Sequence, residues 1–308
     1  MYRTILILQL ILIADAYAFA QQKPSEPVQQ ALAAAKLHVK DTSYLHYLQV
    51  AAAAATKEND MYGMATVHQA AGNYFYSRNA DSCIAYNQLA FRLFKNAGDE
   101  KRAAICLHSI GFAYDEEKQQ PASALQYIEQ SLPIHRNLND TLELANMYKY
   151  MGMLKGKLNR FAEAKQDVNL AIQYFAAKEY KPGIAVSHFD MAQVFAAENN
   201  TDSAIAYLSL AKQYWLASNN AGRIFGLNNY FFEIYFKAGM PAGAARVLQE
   251  NENLLAREKI YYNDRLQFYN NSIVLYSKVN NIDKKQRYTQ QYNSLKDSLS
   301  RQGINVNE

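Results

Sequence analysis

The chain has 308 residues, half of them hydrophobic, with a formal net charge of +4 and two cysteines. The apolar content is ample for a core, and the scarcity of Gly and Pro (12 and 6) suits long helices joined by short turns rather than a loop-rich chain. The lack of any recognised nucleic-acid-binding motif, together with the export signal read at the N-terminus, argues against a nucleic-acid partner.

Residues 1–20, MYRTILILQLILIADAYAFA, combine a positive start at Arg3, an apolar run from Thr4 to Ile13 and a small-x-small site at Ala18–Ala20. This pattern predicts a signal peptide cut after Ala20 and an exported, periplasmic protein; the run is too short, and too interrupted by Asp15, for a membrane span. Residues 21–27 read as a polar linker and 28–56 as a degenerate, Ala-rich helical hairpin that caps the array.

From residue 61 to 299 the sequence repeats. The best example is Ala104–Leu132, which reads as two antiparallel helices, A and B, with Gly111 on one facing Ala124, Ile128 and Ser131 on the other. The equivalent crossing positions are Gly72, Gly111, Gly152, Ala192, Phe232 and Ile273, separated by 39, 41, 40, 40 and 41 residues. An aromatic follows three residues later in most copies, as Phe75, Tyr114, Phe195, Tyr235 and Tyr276. The B helices carry small pairs two turns apart: Cys83 and Ala90, Ala124 and Ser131, Ala164 and Ala171, Ala204 and Ala211. Fixed-period self-similarity is the mark of an array whose units bury their faces by stacking.

This pattern resembles the tetratricopeptide repeat (TPR) family. The resemblance implies an all-α fold, a right-handed superhelical solenoid of about seven antiparallel helix pairs spanning residues 28–299, with a flexible tail at 300–308. The period of about 40 exceeds the roughly 34 of the standard unit, so longer helices are expected. Copy three has Lys155 in the aromatic slot, and copy five has Phe232 in the small slot.

Polar punctuation marks the turns at Asn96–Asp99, Asn137–Asp140, Asn219-Asn220 and Asn280-Asn281. Pro121 and Pro241 stand where B helices should begin. Asp81-Ser82, Asp140-Thr141 and Asp202-Ser203 are expected to cap helix starts. Cys83 and Cys106 are expected to be two packed thiols rather than a disulfide. The six histidines form no metal-type pair, and no phosphate loop, G-x-S-x-G or C-x-x-C occurs, so neither a cofactor, a metal nor an enzymatic activity is implied. Nine Lys/Arg against four Asp/Glu between Arg257 and Arg301 make the last hairpin basic.

In TPR arrays the A helices line a concave groove. The family's groove positions fall three residues before, one after and four after each crossing residue. Carried onto this chain they are Gln69, Asn73 and Tyr76; His108, Phe112 and Asp115; Lys149 and Met153; Phe189 and Gln193; Asn229, Glu233 and Phe236; and Asn270. Amides mixed with aromatics suit the backbone and side chains of an extended peptide. The paired Lys and Asn of the family's carboxylate clamp are not complete here. The expectation is a non-enzymatic exported scaffold that binds a peptide or protein in this groove.

A narrower resemblance links Ser277–Leu299 to the final repeat of exported TPR sensor regions in Gram-negative membrane histidine kinases. It implies an alternative, a ligand-sensing component acting through a membrane signalling partner, although no coiled coil, membrane helix or kinase part follows here. A further alternative is an accessory scaffold for cell-envelope enzymes.

Overall fold

The structure is a computed structural model that describes residues 23–39 and 43–304; the expected signal peptide lies outside the described residues. Among them the chain forms fourteen α-helices and no strand. They are α1 (Glu26–Leu37), α2 (Ser43–Lys57), α3 (Met61–Phe75), α4 (Ala80–Asn96), α5 (Glu100–Phe112), α6 (Pro121–Asn137) and α7 (Thr141–Lys157). The second half holds α8 (Phe161–Ala177), α9 (Lys181–Ala197), α10 (Thr201–Ala217), α11 (Ala221–Lys237), α12 (Pro241–Leu255), α13 (Tyr262–Lys278) and α14 (Ile282–Arg301). The chain divides into two compact units, Met1–Leu158 with α1–α7 and Asn159–Glu308 with α8–α14.

The repeat follows from how each helix stops. In the regular copies a helix of 17 residues is followed by a C-cap, a residue with positive φ and the N-cap of the next helix. The positive-φ residues Asn139, Asn159, Glu179, Asn199, Asn219 and Gly239 recur every 20 positions. Asparagine and glycine tolerate that left-handed conformation better than other residues. The turn closes as a Schellman motif: Asn139 N–H donates to Arg136 O and Asp140 N–H to His135 O, both at 3.1 Å. The same pair of bonds closes the turns at Asn199-Asn200 and Asn219-Asn220. Two helices and two such turns give 40 residues.

The irregular steps have local causes. Each crossing residue is the twelfth of its A helix, from Gly72 in α3 to Ile273 in α13. The first step is short because α3 stops early and Ser77 takes the positive φ. The second is long because α5 continues into a π-helical turn at Ala113–Glu117, which absorbs one extra residue. Lys118 N–H there reaches back to Ala113 O at 3.2 Å.

Packing explains the sequence signals. A Cβ on Gly111 would lie 2.9 Å from Ile128 Cδ1 and 3.4 Å from Ala124 O, so the helices cross closely at that glycine. All eight members of the small pairs on the B helices are fully buried. In four copies the aromatic three residues after the crossing stacks on a B-helix tyrosine, whereas Tyr235 stacks on Phe231 of its own helix. In the first unit these pairs are Phe75 on Tyr86 (5.6 Å) and Tyr114 on Tyr127 (5.4 Å). In the second they are Phe195 on Tyr207 (5.4 Å) and Tyr276 on Tyr288 (5.7 Å). Each stack adds on the order of 1 kcal/mol beyond its buried area. Phe232, the bulky exception, is buried in the second unit's core with Ala244 and Leu248.

Two capping expectations need correction. Asn79 and Asn200 cap α4 and α10, accepting from Ser82 N–H at 2.8 Å and Ser203 N–H at 3.2 Å. Asp81 and Asp202 sit two residues further in, at the second helical position, where a carboxylate favours the positive end of the helix dipole. Asp140 does cap α7, accepting from Glu143 N–H. Pro121 and Pro241 open α6 and α12. Cys83 and Cys106 are free and buried in separate clusters, and burial raises the Cys106 thiol to about 12.

Candidate binding site

Residues three before and four after the crossing position share its stripe, and that stripe faces the B helix. The structure therefore spreads the fourteen groove candidates over different environments. In the first unit His108 and Asp115 are buried. Asp115 accepts from Lys157 Nζ at 2.7 Å and from Tyr150 Oη at 3.1 Å, and Phe112 packs on the Tyr150 ring at 4.6 Å. Burial and the Asp115 charge raise the Tyr150 hydroxyl, which stays protonated as the donor. Tyr76 donates to Glu116, and Gln69 reaches Cys106 Sγ at 3.7 Å. Asn73 is exposed, while Lys149 and Met153 are half-buried. This face is largely consumed by bonds between neighbouring A helices.

His108 has a second consequence. Its Nε2 lies 3.1 Å from both Ser131 Oγ and His135 Nε2, a spacing that could be mistaken for a nucleophile and its base. Ser131 is fully buried and donates to Ile128 O at 2.7 Å, so no substrate can approach its oxygen. Burial, then the neighbouring His135, lowers the His108 ring to about 3. The cluster is a neutral polar core. Among the described residues no group of three His, Cys, Asp or Glu is placed to hold a metal ion.

In the second unit Asn229 occupies the position equivalent to His108 and is also fully buried. It accepts from Asn251 Nδ2 at 3.1 Å and donates to Asp264 O at 3.1 Å, within a network that includes Asn228. Phe236 stacks on Phe232, and Lys278 lies 4.6 Å over its ring. Glu233 and Asn270 are exposed, and Glu233 accepts from Gln267 at 2.7 Å. Gln193 hydrogen-bonds Tyr230, whose hydroxyl is raised mainly by burial.

Phe189 lines a pocket. It packs edge-on against Tyr230 at 4.8 Å. The cavity, about 260 Å³, is walled by the A helices α9, α11 and α13 together with Trp215 from the end of α10. Val186, Phe189, Trp215, Leu227 and Tyr230 give it apolar walls. Gly222 and Gly226, one turn apart on α11, leave the floor bare; a Cβ on Gly226 would meet only Asp264 Oδ1, at 3.5 Å. Arg223, Asp264 and Gln267 supply the polar groups. The Arg223 guanidinium lies 5.6 Å over the Trp215 ring. Burial raises the Asp264 carboxyl, opposed by the through-space pull of Arg223. Arg223 and Asp264 are the third residues of consecutive A helices, and the two glycines sit inside a helix where they cost stability. Those signals were present in the sequence; the family's groove positions simply do not include them.

A scan against protein-family models and a search of curated proteins return no match. Solved structures do match. The apo form of RapI aligns with a TM-score of 0.65 at 13% identity, covering 89% of this chain and 99% of that one. A Rap protein complexed with Competence and Sporulation Factor aligns at 0.58 and 12% identity, covering 93% and 91%. The Rap conjugation gene regulator of plasmid pLS20, solved with the Phr* peptide, aligns at 0.55 and 16% identity, covering 80% and 68%. The fold is thus an all-α, TPR-like helical-repeat solenoid. The likeness does not extend to the kinase-sensor resemblance of the last hairpin.

Proposed function

We propose that this chain is a non-enzymatic helical-repeat scaffold that binds a peptide on the A-helix face of its second unit. One observation carries the reading: three successive A helices wall an aromatic pocket that holds a carboxylate and a guanidinium joined by no hydrogen bond or ion pair. Concave apolar sites with a few convergent polar groups are the usual form of ligand pockets. Two of the similar folds were solved with bound ligands, the Phr* peptide and Competence and Sporulation Factor, which favours a peptide over a small metabolite. The apolar N-terminal run and its small-x-small site favour an exported protein. The resemblance of Ser277–Leu299 to kinase sensor repeats favours, as a second reading, a role in reporting peptide binding to a membrane signalling partner.

The test uses immobilised chain from Gln21 onward and a random hexapeptide pool, with retained peptides identified by mass spectrometry. The scaffold should enrich a defined subset, and Gly226→Leu, which fills the pocket with a better helix former, should abolish the enrichment. No enrichment by the unaltered chain, or enrichment indifferent to Gly226→Leu, would overturn the assignment.

A further inference from the structure

The pocket holds two opposite charges that interact through space but are joined by no hydrogen bond or ion pair. Among the described residues the Asp264 carboxylate makes no hydrogen bond and no ion pair within 4.0 Å. Arg223 is solvent-exposed at the pocket rim, pairs with no carboxylate within 4.0 Å, and its guanidinium lies over Trp215. The half-buried Asp264 carboxylate keeps access to solvent at the mouth of an aromatic-walled cavity, so a cationic group entering the pocket can replace that water and pair with it. A ligand that relieves both charges must present a cation and an acceptor a few ångströms apart, next to an apolar body.

A mid-chain lysine or arginine meets this requirement poorly, because its cation sits at the end of a long side chain, well away from the backbone carbonyls that could accept from Arg223. An acidic side chain fails at Asp264, whose charge it repels. The first residue of a peptide meets all of it. Its ammonium and first carbonyl oxygen stand roughly 3 Å apart, set by covalent geometry, and its side chain branches from the atom between them. Capture of an N-terminal amine is a recognised mode of peptide recognition. We propose that this pocket takes the free N-terminus of a peptide that begins with an aromatic or large aliphatic residue. Its ammonium sits on Asp264, its first carbonyl accepts from Arg223, and its side chain lies between Phe189, Trp215 and Tyr230. This rests on the peptide-binding reading above and adds to it the end of the peptide that is held.

Trp215 is the chain's single tryptophan, so its fluorescence reports this pocket directly. Three probes are titrated: Phe-Gly-Gly amide, its N-acetylated form, and N-acetyl-Gly-Lys-Gly amide. The free-amine probe should bind at least tenfold more tightly than either acetylated one. Asp264→Asn should remove that preference while leaving the helical circular dichroism intact, and Arg223→Gln should weaken the free-amine probe by a smaller factor. Equal binding of the acetylated phenylalanine probe, tighter binding of the lysine probe, or no response to the free amine at millimolar concentration would overturn the proposal. The random-pool experiment separates the failures. Enrichment there without an N-terminal preference here removes only this inference, whereas no enrichment removes both.

Discussion

The A-helix faces of the two units differ in how they treat charge. In the first unit Asp115 is buried against Lys157 and Tyr150, and Tyr76 is tied to Glu116. In the second, the Asp264 carboxylate and the Arg223 guanidinium stand in the same cavity with no hydrogen bond or ion pair between them, and the guanidinium lies over Trp215. The first arrangement stabilises the repeat stack; the second leaves a half-buried carboxylate and an exposed guanidinium open to an incoming group. The lesson is that similar residue types on equivalent helices act as mortar in one place and as a receptor in another. What separates them is whether the neighbouring helix supplies the partner.

That contrast makes the substitutions separable. Asp115→Asn should have the largest effect on stability, about 2–3 kcal/mol in urea unfolding followed by circular dichroism. It stays below the roughly 3–5 kcal/mol of a fully buried pair because Lys157 is half exposed. Peptide enrichment by that variant should survive. Asp264→Asn should do the reverse. The raised carboxyl means that the folded state holds the proton more tightly than the unfolded state. The ionised group therefore opposes folding above the unfolded carboxyl range, and its removal should leave the melting temperature unchanged or higher. A clear fall in melting temperature for Asp264→Asn would erase the distinction between the two faces.

The polar cores sharpen the comparison further. His108 is depressed to about 3, and burial lowers His135 as well, so between the ordinary histidine range and about pH 3 the unfolded state binds more protons. Stability should hold above about pH 6.5 and decline as pH falls through that window, by at most about 1.4 kcal/mol per pH unit for each ring. Asn229, at the position equivalent to His108, cannot titrate, so His108→Asn should flatten the decline. The smallest effect concerns the cysteines. With Cys83 and Cys106 buried and both thiols raised, alkylation of the native chain should be slow and should accelerate only on unfolding.

Much of the fold was legible because the repeat is written in close contacts. A crossing glycine, a small pair on the B helix and an aromatic stacking partner each occupy a slot where another size would clash, so their periodicity survives in the sequence. The left-handed turn residues are legible for a similar reason, since asparagine dominates there. The caps at α4 and α10 were read two residues late because Asp81 and Asp202 also suit a first helical turn. The binding surface was less legible. Transferring groove positions from a pattern assumes that residues on one stripe see the same surroundings. His108, Asp115 and Asn229 share the crossing stripe and are drawn inward, while Arg223 and Asp264 reach the pocket from the first turns of their helices. Their function depends on which charges go unmatched, and that is a property of neighbouring helices rather than of any one repeat.

The most direct test of the account is a Trp215 fluorescence titration of the full chain with a tryptophan-free hexapeptide pool, alongside the Gly226→Leu variant. Occupation of the second unit's pocket predicts a saturable change in the unaltered chain and none in the variant, with matching melting curves at low peptide. A saturable change of equal size in both would place the peptide elsewhere and contradict the account.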